Sequence, residues 1–153
     1  MASSAASATG PSEEFRYAGN RLGLPEDGPG SVATWGRRVL ALLIDWLIAG
    51  LIASVLTGRP MWAGGGNFGL MHSTVFFAMS AILAGLAGAT IGHRLCGLRV
   101  AAVGRGTAYT GQPGLLAGVI RALLISLLIP AVVFDRDRRG LHDLAAKTVV
   151  VRR

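Results

Sequence analysis

The chain has 153 residues, 52% of them hydrophobic and only 15% charged, against about 25% charged in an ordinary soluble domain. That argues against a globule solvated by water and for one whose Leu, Ala, Val and Ile are solvated by lipid. The net charge of +7 arises from 15 Lys and Arg against 8 Asp and Glu, but the basic residues flank apolar runs, without the aromatic-basic platform or recognition helix of a nucleic-acid binder, so they read as topology signals of a membrane protein.

Residues 1–34 are rich in Ser, Ala, Gly and Pro, broken by Glu13, Glu14, Glu26 and Asp27. They carry no hydrophobic periodicity and read as a flexible cytoplasmic tail. The segment lacks the charged start and apolar centre of a signal peptide. Residues 35–153 read as one membrane domain.

The first apolar run, Val39 to Thr57, is long enough for a hydrocarbon core of about 30 Å. Arg37 and Arg38 precede it, and Trp35 suits the interface. A short turn over residues 59–67 leads to a second run from Phe68 to Ala89, free of Asp, Glu, Lys and Arg. Both runs place small residues at multiples of four: Ala41, Ala49 and Ala53 in the first, Ala81, Gly85 and Ala89 in the second. This spacing puts them on one face and predicts a close antiparallel hairpin.

Leu98 to Val103 is β-prone, Gly104-Arg105-Gly106 offers a turn, and Thr107, Tyr109 and Thr110 a return strand. The third apolar run, Leu115 to Phe134, contains Arg121 and Pro130. The remaining residues hold a charged cluster, the stretch LHDLAAK and a β-prone TVVV. The predicted fold class is therefore an all-α membrane protein: a transmembrane helical hairpin, a third apolar helix that is re-entrant, interfacial or spanning, and short cytoplasmic β-prone segments. Arg37 and Arg38 set the N-terminus in the cytoplasm. Arg136, Arg138, Arg139, Lys147, Arg152 and Arg153, together with two β-prone stretches that can pair only on one side, set the C-terminus there too. A plain three-span topology is the rival.

Asp45 is the only acid inside an apolar run. An ionised Asp there costs about 2.5–3.5 kcal/mol on insertion scales, so it should face protein or water and is a candidate ion or proton site; the alternative is a hydrogen bond between packed helices. Arg38, seven residues earlier, shares its face about 10 Å away, and both side chains lean toward the helix start, which strains direct pairing. Arg38 instead suits a lipid phosphate or a cytoplasmic acid. Arg121 is the expected partner of Asp45, with snorkelling to the headgroups as its alternative. His142 and Asp143 adjoin no nucleophile, and a cap or salt bridge suits Asp143. His72 and His93 lack metal-site spacing, and no phosphate loop or dinucleotide fingerprint is present. The single cysteine, Cys96, permits no internal disulfide and reads as a small apolar filler. No enzyme, cofactor or nucleic-acid partner is expected.

Three segments together carry a resemblance. RRVLALLIDWLIA (37–49), TIGHRLCGLRV (90–100) and RRGLHDLAAKTVVV (138–151) resemble, in order and spacing, segments of the RDD family of membrane proteins. The resemblance implies that Arg38, Asp45 and Asp143 are the Arg and two Asp of the family's name. His93 stands where Lys or Arg is common, and Lys147 where Gly is common. The family is suspected of transport, with some members linked to ion exchange. Two readings follow: a transport component for ions or small solutes in the cell membrane, multi-pass and using Asp45, or a non-transporting scaffold or accessory subunit that binds a cytoplasmic partner. Two or three helices hardly enclose a path, so the first needs a homo-oligomer or a membrane-protein partner besides lipid.

Overall fold

The first apolar run forms α1, Trp35–Thr57, and the second forms α2, Phe68–Leu86. The computed structural model describes residues 16–62, 65, 67–104, 107–109, 111–127, 135 and 137–153. α1 stops at Gly58, whose φ of 64° is the left-handed conformation glycine adopts without penalty at a helix end. Both helices are long and apolar enough to cross a membrane, with mean hydropathies of 2.5 and 1.6. Their large side chains point outward: Leu51, Val55 and Leu56 on α1 and Leu70 and Ile82 on α2 are between 50% and 83% exposed. The inward face of α1 carries Ala41, Asp45, Ala49, Gly50 and Ala53. Exposed apolar surface forfeits about 25 cal/mol per Å² in water and nothing of the kind in lipid, so this inverted pattern matches a bilayer.

After α2 the chain forms α3, Ile91–Leu95, then β1, Leu98–Gly104, and β2, Thr107–Tyr109. α4 covers Leu115–Ser126, α5 Leu141–Ala145, and β3 Thr148–Arg152. The sheet has the order β2-β1-β3 and is antiparallel, with Val100 opposite Val150 and Ala101 opposite Val149. The two β-prone stretches of the sequence thus do meet. One face of the sheet, with Leu98, Val100 and Val150, packs on Ala41 and Ala84 of the long helices. The other face, with Ala101, Val149 and Val151, is covered by Leu22 and Val32. A strand buried on both faces reads as a continuous apolar run, which is why TVVV shows no alternation.

Two expectations need correction, for the N-terminal segment and for the end of α2. Residues 16–34 are not a flexible tail: Asn20–Leu22 is a 3-10 helix, Val32 bridges to Val151, and Ala33 N donates to Val150 O at 2.9 Å. These backbone bonds cap the free edge of β3. Residues 1–15 lie outside the described residues, as do 128–134 with Pro130, and Thr110 beyond the return strand. Among the described residues the third apolar run is helical over the 12 residues of α4, about 18 Å at 1.5 Å per residue. Ala89 lies beyond the end of α2, although it is buried with the other five small residues.

The small faces also take partners besides the expected hairpin helix. Ala81 and Gly85 of α2 receive α4: a Cβ on Gly118 would meet the Ala81 carbonyl and come within 2.8 Å of Gly85 Cα. A Cβ on Gly85 would lie 2.9 Å from Leu115 Cα. Ala41 of α1 receives Gly92 of α3, whose added Cβ would overlap the Ala41 carbonyl. Finally, Lys147, in the position where the resemblance leads one to expect Gly, takes a φ of 51°. The turn is made all the same, at a cost of about 1–2 kcal/mol for an L-residue in that conformation.

Candidate functional site

Among the buried acids, Asp143 and Asp45 sit near the sheet end of the helices, and their surroundings differ in kind. Asp143, in the first turn of α5, is 0% exposed. Arg38 Nη1 donates to its Oδ2 at 2.8 Å, and Arg121 Nη1 donates to its Oδ1. The Gly140 backbone N–H lies 3.4 Å from Oδ2, a helix-capping contact. Arg38 also donates from Nε to Ala33 O and from Nη2 to Val150 O, and Arg121 Nη1 donates to Thr148 Oγ1 at 2.9 Å. One carboxylate therefore ties together α1, α4, α5, β3 and the segment before α1. Two guanidinium groups thus find their counter-charge in one buried carboxylate.

Asp45 has no such clamp. It is 2% exposed on the inward face of α1. Gly92 N donates to its Oδ1 at 2.7 Å, and Thr90 Oγ1 donates to its Oδ2 at 2.5 Å. Thr90 Oγ1 is 2.5 Å from His93 Nδ1 and accepts from His93 N at 3.2 Å as the cap of α3. His93 Nδ1 is 3.9 Å from Asp45 Oδ2. Burial, reinforced by Arg121, Arg38 and His142, pushes the His93 imidazole down to about 3, so the ring is neutral over the physiological range.

The expected pair of Asp45 and Arg121 does not form. Both line one cavity of about 20 Å³ with Ser80, Thr90 and His93, but the guanidinium is committed to Asp143 and Thr148. The sequence suited Asp143 to a cap or a salt bridge, and it makes both. The fold turns it inward between α1 and α4, where it outcompetes Asp45 for both cations. Arg38 finds the acid expected of it, and that acid is Asp143. Two residues that the sequence reading did not single out complete the sites: Thr90, the hydroxyl on Asp45, and Thr148, the hydroxyl on Arg121. The signal for Thr90 lay in the sequence, since a Thr ahead of a short apolar turn is a helix cap.

Away from these acids, Arg21 Nη2 donates to Asp137 Oδ2 at 2.6 Å, with Asp137 1% exposed. This pair fastens the N-terminal segment to the charged cluster before α5. His72 Nε2 lies 3.0 Å from Trp46 O, linking α2 to α1. Among the described residues no group of His, Cys, Asp and Glu is arranged to hold a metal ion. Cys96 is half-buried against the core that contains Leu98 and Val100, as a small filler would be.

No curated protein and no solved structure matches the chain. The RDD family matches residues 32–147, from the strand-capping segment before α1 to the turn after α5. That range contains Arg38, Asp45 and Asp143 in the arrangement just described, and the chain belongs to the RDD family.

Proposed function

We propose that the protein is a transport component for ions or small solutes in the cell membrane, multi-pass, and that Asp45 is the group that takes up the ion or proton. The carrying observation is the contrast between Asp143 and Asp45. Asp143 is neutralised by two guanidinium groups, whereas Asp45 is met only by a hydroxyl, a backbone N–H and a neutral imidazole. Structure alone does not require a carboxylate there, and an intramembrane acid without a fixed cation is suited to bind and release a mobile one.

The orientation follows from charge. Arg37 and Arg38 at the start of α1, and the basic residues after residue 134, favour both termini on the cytoplasmic side. Pairing of β1 with β3 keeps the C-terminal strand beside that end of α1. Two candidate spans line no complete path, so the working unit is a homo-oligomer or includes a membrane-protein partner.

The test is flux from purified protein in liposomes carrying a pH-sensitive dye, with monovalent cation gradients imposed. Wild type is expected to move protons against the cation, and Asp45→Asn to reduce that movement to the level of empty liposomes. Equal flux in the two proteins would remove Asp45 from the mechanism. No flux from wild type would leave the scaffold reading in its place.

A further inference from the structure

We infer that Asp45 gains and loses its proton through Thr90 and His93, a three-group relay whose outer terminus is His93 Nε2. The inference rests on the reading of Asp45 as the exchanging acid and adds the route by which the proton reaches it.

Donor counting carries the argument. Thr90 has one hydroxyl proton, and with Asp45 ionised that proton points to Oδ2. The 2.5 Å contact between Thr90 Oγ1 and His93 Nδ1 must then be donated by the imidazole. A neutral ring that carries its proton on Nδ1 leaves Nε2 bare. Nε2 makes no hydrogen bond among the described residues, since the ring's polar contacts, to Thr90 and Asp45, run through Nδ1. The ring borders the cavity shared with Asp45 and a second one of about 60 Å³, which Arg38, Arg121, His142 and Trp35 also line. The second has room for water, whose minimum is about 10–15 Å³.

Uptake then balances in three moves. A proton binds Nε2, the Nδ1 proton passes to Thr90 Oγ1, and the Thr90 proton passes to Asp45 Oδ2. The ring ends neutral with its proton on Nε2, the hydroxyl ends intact and donating to Nδ1, and Asp45 ends protonated and donating to Oγ1. Each hydrogen bond reverses direction and none is lost. No group but Asp45 changes charge, which fits a site where a charged imidazole is opposed.

The charged and titratable groups around the ring come from three elements. They are Arg38 and Asp45 from α1, Arg121 from α4, and His142 with Asp143 from α5. α2 brings Ser80 to the cavity and no charge. The guanidinium groups disfavour imidazolium and so direct the proton onward to Asp45. They also bar the alternative in which His93 itself stores it.

The experiment follows the carboxylic-acid band of Asp45 by time-resolved infrared after a rapid drop in pH, in purified protein, with Asp45→Asn to assign the band. His93→Ala and Thr90→Val should slow its rise by about 100-fold, the low end of what a positioned proton-transfer group contributes. Thr90→Ser should retain the rate, imidazole added to His93→Ala should restore it, and the wild-type rise should slow in D₂O. Thr90→Ser and imidazole rescue both report on folded protein, so a folding defect in the other variants does not decide the outcome. Unchanged rates in His93→Ala and Thr90→Val, or no rescue by imidazole, would overturn the relay while leaving the flux result for Asp45→Asn standing. Absence of an Asp45 band in wild type would overturn the relay and the reading beneath it.

Discussion

Asp143→Asn is expected to destabilise the protein by about 3–5 kcal/mol, the cost of breaking a buried ion pair from one side. The carboxylate is fully buried and receives both Arg38 and Arg121, the latter itself 2% exposed. An Asn keeps one acceptor oxygen but turns an amide N–H₂ toward one guanidinium, leaving two buried cations with no counter-charge. Adding Arg121→Gln removes one of those cations, so the double variant should be more stable than the sum of the two single effects. Asp45→Asn with Arg121→Gln should show a smaller coupling, because those two border one cavity but share no bond. Unfolding of the four proteins of each cycle in detergent measures both couplings. Additivity for Asp143 and Arg121 would mean that the cluster holds nothing together.

Gly118→Ala should cost more than the usual range of about 1–3 kcal/mol for an overpacked site. The added methyl meets the Ala81 carbonyl and the Gly85 Cα and N, all of them backbone that no side-chain rotation can clear. α4 would have to move off α2, and Arg121, one turn further along α4, would move with it. Gly36→Ala provides the internal comparison. That position is in the first turn of α1 with nothing within 4 Å of an added Cβ, and alanine there should stabilise by up to about 1 kcal/mol through helix propensity. Melting temperatures shifting in opposite directions confirm close helix contact through Gly118; a neutral Gly118→Ala would refute it.

The two long helices were legible because about 20 apolar residues in a row admit few other readings, and Asp45 stood out because nothing else in those runs was acidic. The pairing of β1 with β3 was legible from composition and from sidedness together. What the sequence did not reveal was long-range. Residues 30–33 join β3 through backbone bonds that any side chain could make, so no pattern marks them. Arg21 and Asp137 are 116 residues apart, and nothing local says that they meet. The Asp45–Arg121 expectation matched depths along two helices without the inward turn of α5, a five-residue element too short for periodicity to orient. Small residues at multiples of four announced close approach, but the spacing does not name which helix approaches, and α4 and α3 also pack closely on these faces.

The proposed transport reading divides the labour: Asp143 would hold the fold and Asp45 would exchange the ion. It is tested most directly by measuring stability and liposome flux together on Asp45→Asn. The amide oxygen can accept from Gly92 N as the carboxylate does, and the N–H₂ can donate to Thr90 Oγ1, which then turns its own proton to His93 Nδ1, so every bond at the site survives and the two through Thr90 Oγ1 reverse direction. The prediction is an unfolding free energy within about 1 kcal/mol of wild type, the worth of a single hydrogen bond, with cation-coupled proton flux abolished. A variant destabilised as strongly as Asp143→Asn, or one that transports as wild type does, would contradict it.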